Sequence, residues 1–306
     1  MSEKDNNMSN MEDVFSRVGY ELLKRAAISL PEDVVEALHQ AYKKESTAAG
    51  RAQLKAILEN IDVAKQHNLP ICQDTGLPLF FIKWGLKFRA ALDIRQPLAE
   101  AVEKATKDTP LRPNVINPLT KENPGINVGW GMPYIYYEVD PVADYVEITG
   151  VPKGFGCEAK SALVFIVTSE SIPEAVMRCV LDHVVSADGE PCPPTIIGIG
   201  IGGTADIAMH LAKRATFRHP VGTSHENEEV ARLERQILEA VNSTGIGPMA
   251  VGGDTTSLAV HAEICGAHTA IVSLGITFQC WAARYSTARI YPDGSVLYIT
   301  HREGAK

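Results

Sequence analysis

At 306 residues, with 45% hydrophobic residues and 22% charged residues of mixed sign, the chain can bury one large core or two modest ones. A net charge of -8 leaves no broad basic surface, which argues against nucleic acid as a partner. No apolar run approaches the roughly 20 residues of a membrane helix, and the Asn/Ser-rich start has neither a secretory apolar core nor an Arg-rich amphipathic pattern. The expectation is a disordered tail over residues 1–12, one globular domain over 13–306, and a cytoplasmic location.

Residues 13–27 predict a helix. Pro31-Glu32-Asp33 opens a second, because proline suits the first turn and the acids suit the positive end of the dipole. A third covers 49–67, with Leu54, Ile57, Leu58 and Ile61 on one face. An apolar strand over 77–84 is followed by a helix over 97–106 and by an irregular Pro/Asn/Gly-rich segment, 108–133, of a length that usually signals function or disorder. Residues 134–139 and 145–151 predict a hairpin across Asp140-Pro141.

Ser171, Pro173 and Glu174 open a helix that runs to residue 187. A strand over 195–201 leads through Gly202-Gly203-Thr204 into a helix over 205–216, and a polar helix covers 227–242. A short helix is expected to carry His261 and Glu263. His268 opens a strand over 270–276 with Cys280-Trp281-Ala282 at its far end, and the chain closes on a hairpin turned by Pro292-Asp293-Gly294. Strands and helices alternate only in part, so the expected class is α+β, with mixed sheets packed against helices.

Chemistry concentrates at Cys72-Gln73-Asp74-Thr75-Gly76, where a thiol, an amide, a carboxylate and a hydroxyl precede an apolar strand. Polar groups at a strand mouth need partners or a purpose, and function is commonly built there. Six cysteines in a chain of this kind read as free thiols or metal ligands, and none forms a CxxC pair. Cys179 falls on the apolar face of its helix and reads as a core thiol. Cys72, Cys192 and Cys280 each sit at a strand end or in a Pro/Gly turn, which suits either a soft metal centre with one open position or ordinary structural thiols. Arg112, between Pro110-Leu111 and Pro113, has the planar fork that suits a carboxylate, and equally suits a plain surface position. Gly198, Gly200 and Gly203 satisfy GxGxxG, but no acidic strand end follows at the distance a ribose partner requires. Tight packing, or a helix N-terminus receiving an anion, explains these glycines better.

Cys72-Gln73-Asp74-Thr75-Gly76, Cys192-Pro193-Pro194 with the Gly-Ile-Gly-Ile-Gly-Gly beyond it, Gly245-Ile246-Gly247-Pro248 and Cys280-Trp281-Ala282 together resemble the alpha subunit of the iron-sulfur hydro-lyases, the class I fumarase and L(+)-tartrate dehydratase family. The resemblance extends from about residue 15 to 285 and implies a fold like the class I fumarase N-terminal domain. It implies a [4Fe-4S] cluster held by Cys72, Cys192 and Cys280, with one iron lacking a protein ligand and serving as a Lewis acid. The implied reaction is reversible addition of water to, or its elimination from, a small C4 dicarboxylate: fumarate/malate or tartrate/oxaloacetate.

By the same matching, Asp74 would be a proton-handling or orienting carboxylate and His268 the active-site histidine. Gln73, Thr75, Arg112 and Gly156 would border the substrate, Arg112 holding a carboxylate and Gly156 offering a backbone donor. Family members in one long chain add a C-terminal domain that supplies the proposed base. The sequence stops before such a domain, which implies a separate beta subunit and a hetero-oligomer. Gly154-Phe155-Gly156-Cys157 departs from the small, glycine-rich fumarase pattern, and Cys157 is similar to the tartrate dehydratases, so the resemblance leaves the substrate open. Two other readings stand beside this one: a nucleotide-binding oxidoreductase using Gly198–Gly203, and a non-catalytic iron-sulfur subunit.

Overall fold

A computed structural model describes residues 3–89, 92–169 and 171–301, with side chains from residue 11 onward. Among the described residues the chain is α+β, with helices and two mixed sheets. Read from the sequence as one domain, it divides into two compact units: residues 1–32, 60–153 and 284–306, and residues 33–59 and 154–283. No Pro/Gly-rich linker marks the division, because one boundary falls inside a helix, α3 (Ala48–His67). Composition therefore carries no trace of it.

The first unit is built on a five-stranded sheet in the order β2-β1-β3-β8-β9. Its strands are β1 (Leu77–Gly85), β2 (Tyr134–Asp140), β3 (Val146–Lys153), β8 (Ser286–Ile290) and β9 (Val296–Tyr298). Helix α1 (Glu3–Ile28) carries a stripe of Val14, Phe15, Val18, Leu22 and Leu23, all buried, as the 3.6-residue period requires of a helix lying on a sheet. That stripe packs with Phe80, Ile82, Val146 and Ile148, and α4 (Arg95–Asp108) lies beside it. The helix begins at Glu3, so most of the expected tail over 1–12 is helical, and residues 1 and 2 lie outside the described residues. Once a buried stripe nucleates a helix, extension adds a bond per residue even through Asn and Ser.

The expected hairpin over 134–151 does not form. β1 lies between its two strands, parallel to β2 (Leu79 opposite Tyr134) and antiparallel to β3 (Leu79 opposite Val151). The turn at Asp140 is real, its carboxylate accepting the N–H groups of Val142 and Ala143 at 3.0 and 3.1 Å. It carries the chain across the end of β1 instead of directly back: Leu86 N–H donates to Asp140 C=O and Gly85 N–H to Tyr145 C=O.

The second unit holds a four-stranded sheet in the order β4-β7-β5-β6: β4 (Ala162–Val167), β5 (Thr195–Ile201), β6 (Ser257–Ile264) and β7 (Ile271–Gln279). Gly198, Gly200 and Gly275 face α7 (Ala205–Ala215), and a Cβ added at Gly198 or Gly200 would stand 2.0 Å from a carbonyl oxygen of that helix. The GxGxxG pattern is thus accounted for by helix-on-sheet packing. Ile197 and Ile199 alternate to the opposite face, where they join Leu274, Ile276 and Phe278 against α6 (Ile172–Ala187) and α8 (Glu228–Asn242). Asn227 caps α8 by accepting from Glu229 N–H at 2.9 Å.

The expected short helix at His261 is instead β6, parallel to β5 with Gly198 opposite His261. Burial on both faces hides the two-residue alternation by which a strand is read. β4 was not anticipated from the sequence. No helix among the described residues is long and apolar enough to cross a membrane.

Candidate active site

In the first unit, the segment entering β1 is tied down before its chemistry begins: Ile71 N–H donates to Ala27 C=O and Asn60 donates to Ile71 C=O, both at 2.9 Å. Gly76 then turns the chain at φ +81°, and a Cβ there would stand 2.6 Å from the backbone carbons of Pro152 and Lys153. Only glycine meets both demands. Asp74 is partly buried, and its Oδ1 accepts Gly76 N–H at 3.0 Å and Asn114 Nδ2 at 3.4 Å, which fixes the carboxylate. Gln73 is exposed next to Cys72, whose Sγ lies 3.5 Å from the Gln73 amide oxygen.

Thr75, which the resemblance places at the substrate, is buried and bonds the Arg112 backbone on both sides. Its hydroxyl accepts Arg112 N–H at 2.9 Å and donates to Arg112 C=O at 3.3 Å. Arg112 is therefore held by its backbone. Its side chain is exposed, with no hydrogen bond or ion pair among the described residues.

Asn127 completes the support. It is 3% exposed, and its amide makes four hydrogen bonds, accepting from Asn114 and Val115 N–H and donating to Arg112 C=O and the Thr106 hydroxyl. A φ of +58° suits asparagine better than any other residue with a side chain. Neither Asn114 nor Asn127 was singled out from sequence, since an isolated Asn in a Pro/Asn/Gly-rich segment is not distinctive there.

In the second unit, the turn after α6 presents Cys192, with its N–H donating to Gly189 C=O at 3.0 Å. Trp281 N–H donates to Cys192 C=O at 3.1 Å, which brings Cys280, at the end of β7, to the Cys192 turn. Gly156, exposed on the short helix α5 (Phe155–Glu158), has its Cβ position 3.5 Å from Glu190 C=O in that same turn. Cys157 beside it is buried, its thiol donating to Gly154 C=O, and plays a structural part.

Met249 N–H donates to Pro193 C=O at 2.8 Å, so the Gly245–Pro248 motif also packs on this turn. Cys192, Met249 and Ala250 all have positive φ, of 56°, 51° and 56°. Three non-glycine residues in this conformation so close together is a concentration of backbone strain of the kind that gathers at functional sites.

His268 is not part of this group. It lies in an eight-residue exposed run, 264–271, with Ala270 N–H donating to its Nδ1 at 3.2 Å. Cys280 follows the other end of β7, and nine residues of strand at about 3.4 Å each, roughly 31 Å, lie between the two.

Cys72 belongs to the first unit, and Cys192 and Cys280 to the second; all three are partly exposed and outside any disulfide. Among the described residues no three His, Cys, Asp or Glu side chains stand close enough to hold a single metal ion. An iron-sulfur cluster makes a different demand, because each thiolate binds its own iron. Cys72, Cys192 and Cys280, each on a loop at a strand end, are donors of the kind such a cluster takes.

A family model described as fumarate hydratase (Fumerase) matches residues 17–289. The chain is 47% identical over 284 residues to a Methanocaldococcus jannaschii protein named "Putative L(+)-tartrate dehydratase subunit alpha", covering 92% of this chain and 99% of that one. It is 32% identical over 276 residues to the L(+)-tartrate dehydratase subunit alpha of Escherichia coli (strain UTI89 / UPEC), covering 90% of each. The corresponding protein of Escherichia coli (strain K12) is 31% identical over the same length. With the match spanning both units, the chain belongs to the fumarate hydratase (Fumerase) family.

Proposed function

We propose that this chain is the alpha subunit of a [4Fe-4S]-dependent hydro-lyase that reversibly adds or removes water on a C4 dicarboxylate, fumarate/malate or tartrate/oxaloacetate. Family membership supports the hydro-lyase class. The observation that carries the cluster is the Trp281-to-Cys192 hydrogen bond, which gathers two of the three partly exposed thiols on one strained turn. Cys72, Cys192 and Cys280 would hold the cluster, which supplies a Lewis acid for the substrate's oxygens.

The chain's own residues bind and orient. Arg112 offers its guanidinium to a substrate carboxylate, and Thr75 and Asn127 fix its backbone so that only its side chain must be ordered on binding. Gln73 offers an exposed amide, and Gly156 a backbone N–H in the first turn of α5, where helical donors lack intrahelical partners. Asp74, with Oδ1 already holding two donors, orients the substrate or carries a proton on its carboxylate. His268, the other catalytic candidate, precedes β7 at the end opposite Cys280. The names of the tartrate dehydratase relatives, as alpha subunits, support a separate beta subunit that supplies the remaining groups.

The test is co-expression with the beta-subunit partner under anaerobic conditions, followed by assays with fumarate, malate and tartrate. Hydration of fumarate, or dehydration of malate or tartrate, with no binding of NAD(H) or NADP(H), is expected. Nicotinamide binding without turnover of any hydroxy acid would overturn the proposal in favour of the oxidoreductase reading.

A further inference from the structure

Arg284 is 2% exposed, and two of its three guanidinium nitrogens, Nε and Nη1, are buried without a hydrogen-bond partner among the described residues. Arginine cannot shed its charge inside a protein, and an unpaired buried ion is among the most costly groups a fold can carry. Elsewhere the chain pairs even arginines that are only partly buried. Arg218 binds Glu234 at 2.6 Å and Glu263 at 2.7 Å, and Arg289 binds Glu147 at 2.8 Å. Arg284 has no such anion among the described residues.

Its position in the first unit shows what could fill the gap. Ser286, two residues on, begins β8 opposite Gly150 of β3. β3 ends three residues later at Lys153, itself 1% exposed and paired with Leu77, the first residue of β1. Gly76 lies against the Pro152 and Lys153 backbone. Arg284 therefore stands at the end of the sheet where the Cys72–Gly76 segment enters, and four residues beyond Cys280 in sequence.

We infer that Arg284 is a substrate-binding residue whose guanidinium receives a carboxylate of the dicarboxylate. The inference rests on the hydro-lyase reading above, which supplies a dianion. Arg112, exposed and held by its backbone, takes one carboxylate. Arg284, buried, takes the other. In a chain of net charge -8, a dianion needs such dedicated cations, because the overall field repels it. The buried charge is tolerated because substrate completes it, as a guanidinium fork completes a carboxylate.

The experiment compares wild type with Arg284→Met in the co-expressed enzyme, with Arg284→Gln as a second uncharged variant should the first not fold. Iron content and the visible spectrum are read beside kinetics and thermal stability. Expected are unchanged iron, KM raised roughly 10- to 100-fold, and loss of the Tm increase that saturating malate or tartrate gives wild type. The ligand-free Tm should hold or rise, whereas a purely structural arginine would lower it. An unchanged KM together with an intact ligand-induced Tm increase in the variant overturns the inference while leaving the hydro-lyase reading standing. Failure of wild type to add water to, or remove it from, any C4 dicarboxylate overturns that reading itself. A Tm increase from sulfate equal to that from malate, lost in the variant, also overturns the inference, by making Arg284 a general anion site.

Discussion

Two polar regions of the molecule use similar residues to opposite ends. In the second unit, Arg218, Glu234, Glu263, His225 and His261 form a closed knot. Arg218 binds both glutamates and Ala262 C=O, and Glu234 also accepts the N–H groups of Ala262 and His225. His261, 1% exposed, has Nδ1 on Ala215 C=O and accepts Gly222 N–H at Nε2. At the Asp74–Arg112 mouth of the first unit, hydrogen bonds go mostly to backbone, from Thr75, Asn114 and Asn127, and the Arg112 guanidinium is left outward. Side chains bonded to one another hold a fold together. Side chains whose backbone is held while their heads stay open are ready for a ligand.

The comparison is broken most forcefully in the knot. Glu234→Ala should cost about 3–5 kcal/mol of unfolding free energy, since it leaves Arg218 half-paired and two backbone N–H groups without an acceptor. Urea denaturation measures this, and iron content per folded chain should not change.

Next in size is a pH effect. Burial, aided by the Arg218 charge, pushes His261 down from 6.5 to about 4. The unfolded chain then binds a proton that the folded chain refuses between those values, so stability falls as pH drops from 6.5 towards 4 and levels off below. The share lost is about 3 kcal/mol. Denaturation midpoints across pH 4–7 should show that slope in wild type and a shallower one in His261→Asn. Equal slopes would show that His261 is not the titrating group. The partly matched His301, also pushed down by burial, supplies a remaining slope of the same sign.

Asn127→Ala removes all four bonds of the clamp and should cost about 2 kcal/mol. It should also raise KM, because Arg112 and Asp74 lose their common support. Arg112→Ala is the sharpest contrast: a stability change within about 0.5 kcal/mol, as at an ordinary exposed site, with turnover reduced by about two orders of magnitude. A variant with unchanged kinetics would return Arg112 to the plain surface role.

Much of the fold was legible because most helices and strands have a readable period: β1, α6 and α8 fall close to where their apolar stripes and caps place them, and α1 ends where expected but starts ten residues earlier. Strand partnership was not legible. Nothing in residues 134–151 reveals that β1, from much earlier in the chain, inserts between β2 and β3. His261 was misread because its strand is covered on both sides. At the site, the three cysteines and Asp74 were visible as motifs, and Arg112 as an arginine among prolines. Asn127, Met249 and Arg284 were invisible, because what distinguishes them is a buried bond set, a backbone angle or a missing partner, none of which leaves a pattern in sequence.

The most direct test of the central claim is iron and acid-labile sulfide per alpha chain in anaerobically co-purified enzyme, for wild type and for Cys72→Ser, Cys192→Ser and Cys280→Ser. The account predicts about four irons and four sulfides per wild-type chain, with the brown colour and the activity lost in each variant while the protein remains folded. Active, iron-free wild type, or a full iron complement in the Cys192→Ser and Cys280→Ser variants, would contradict it.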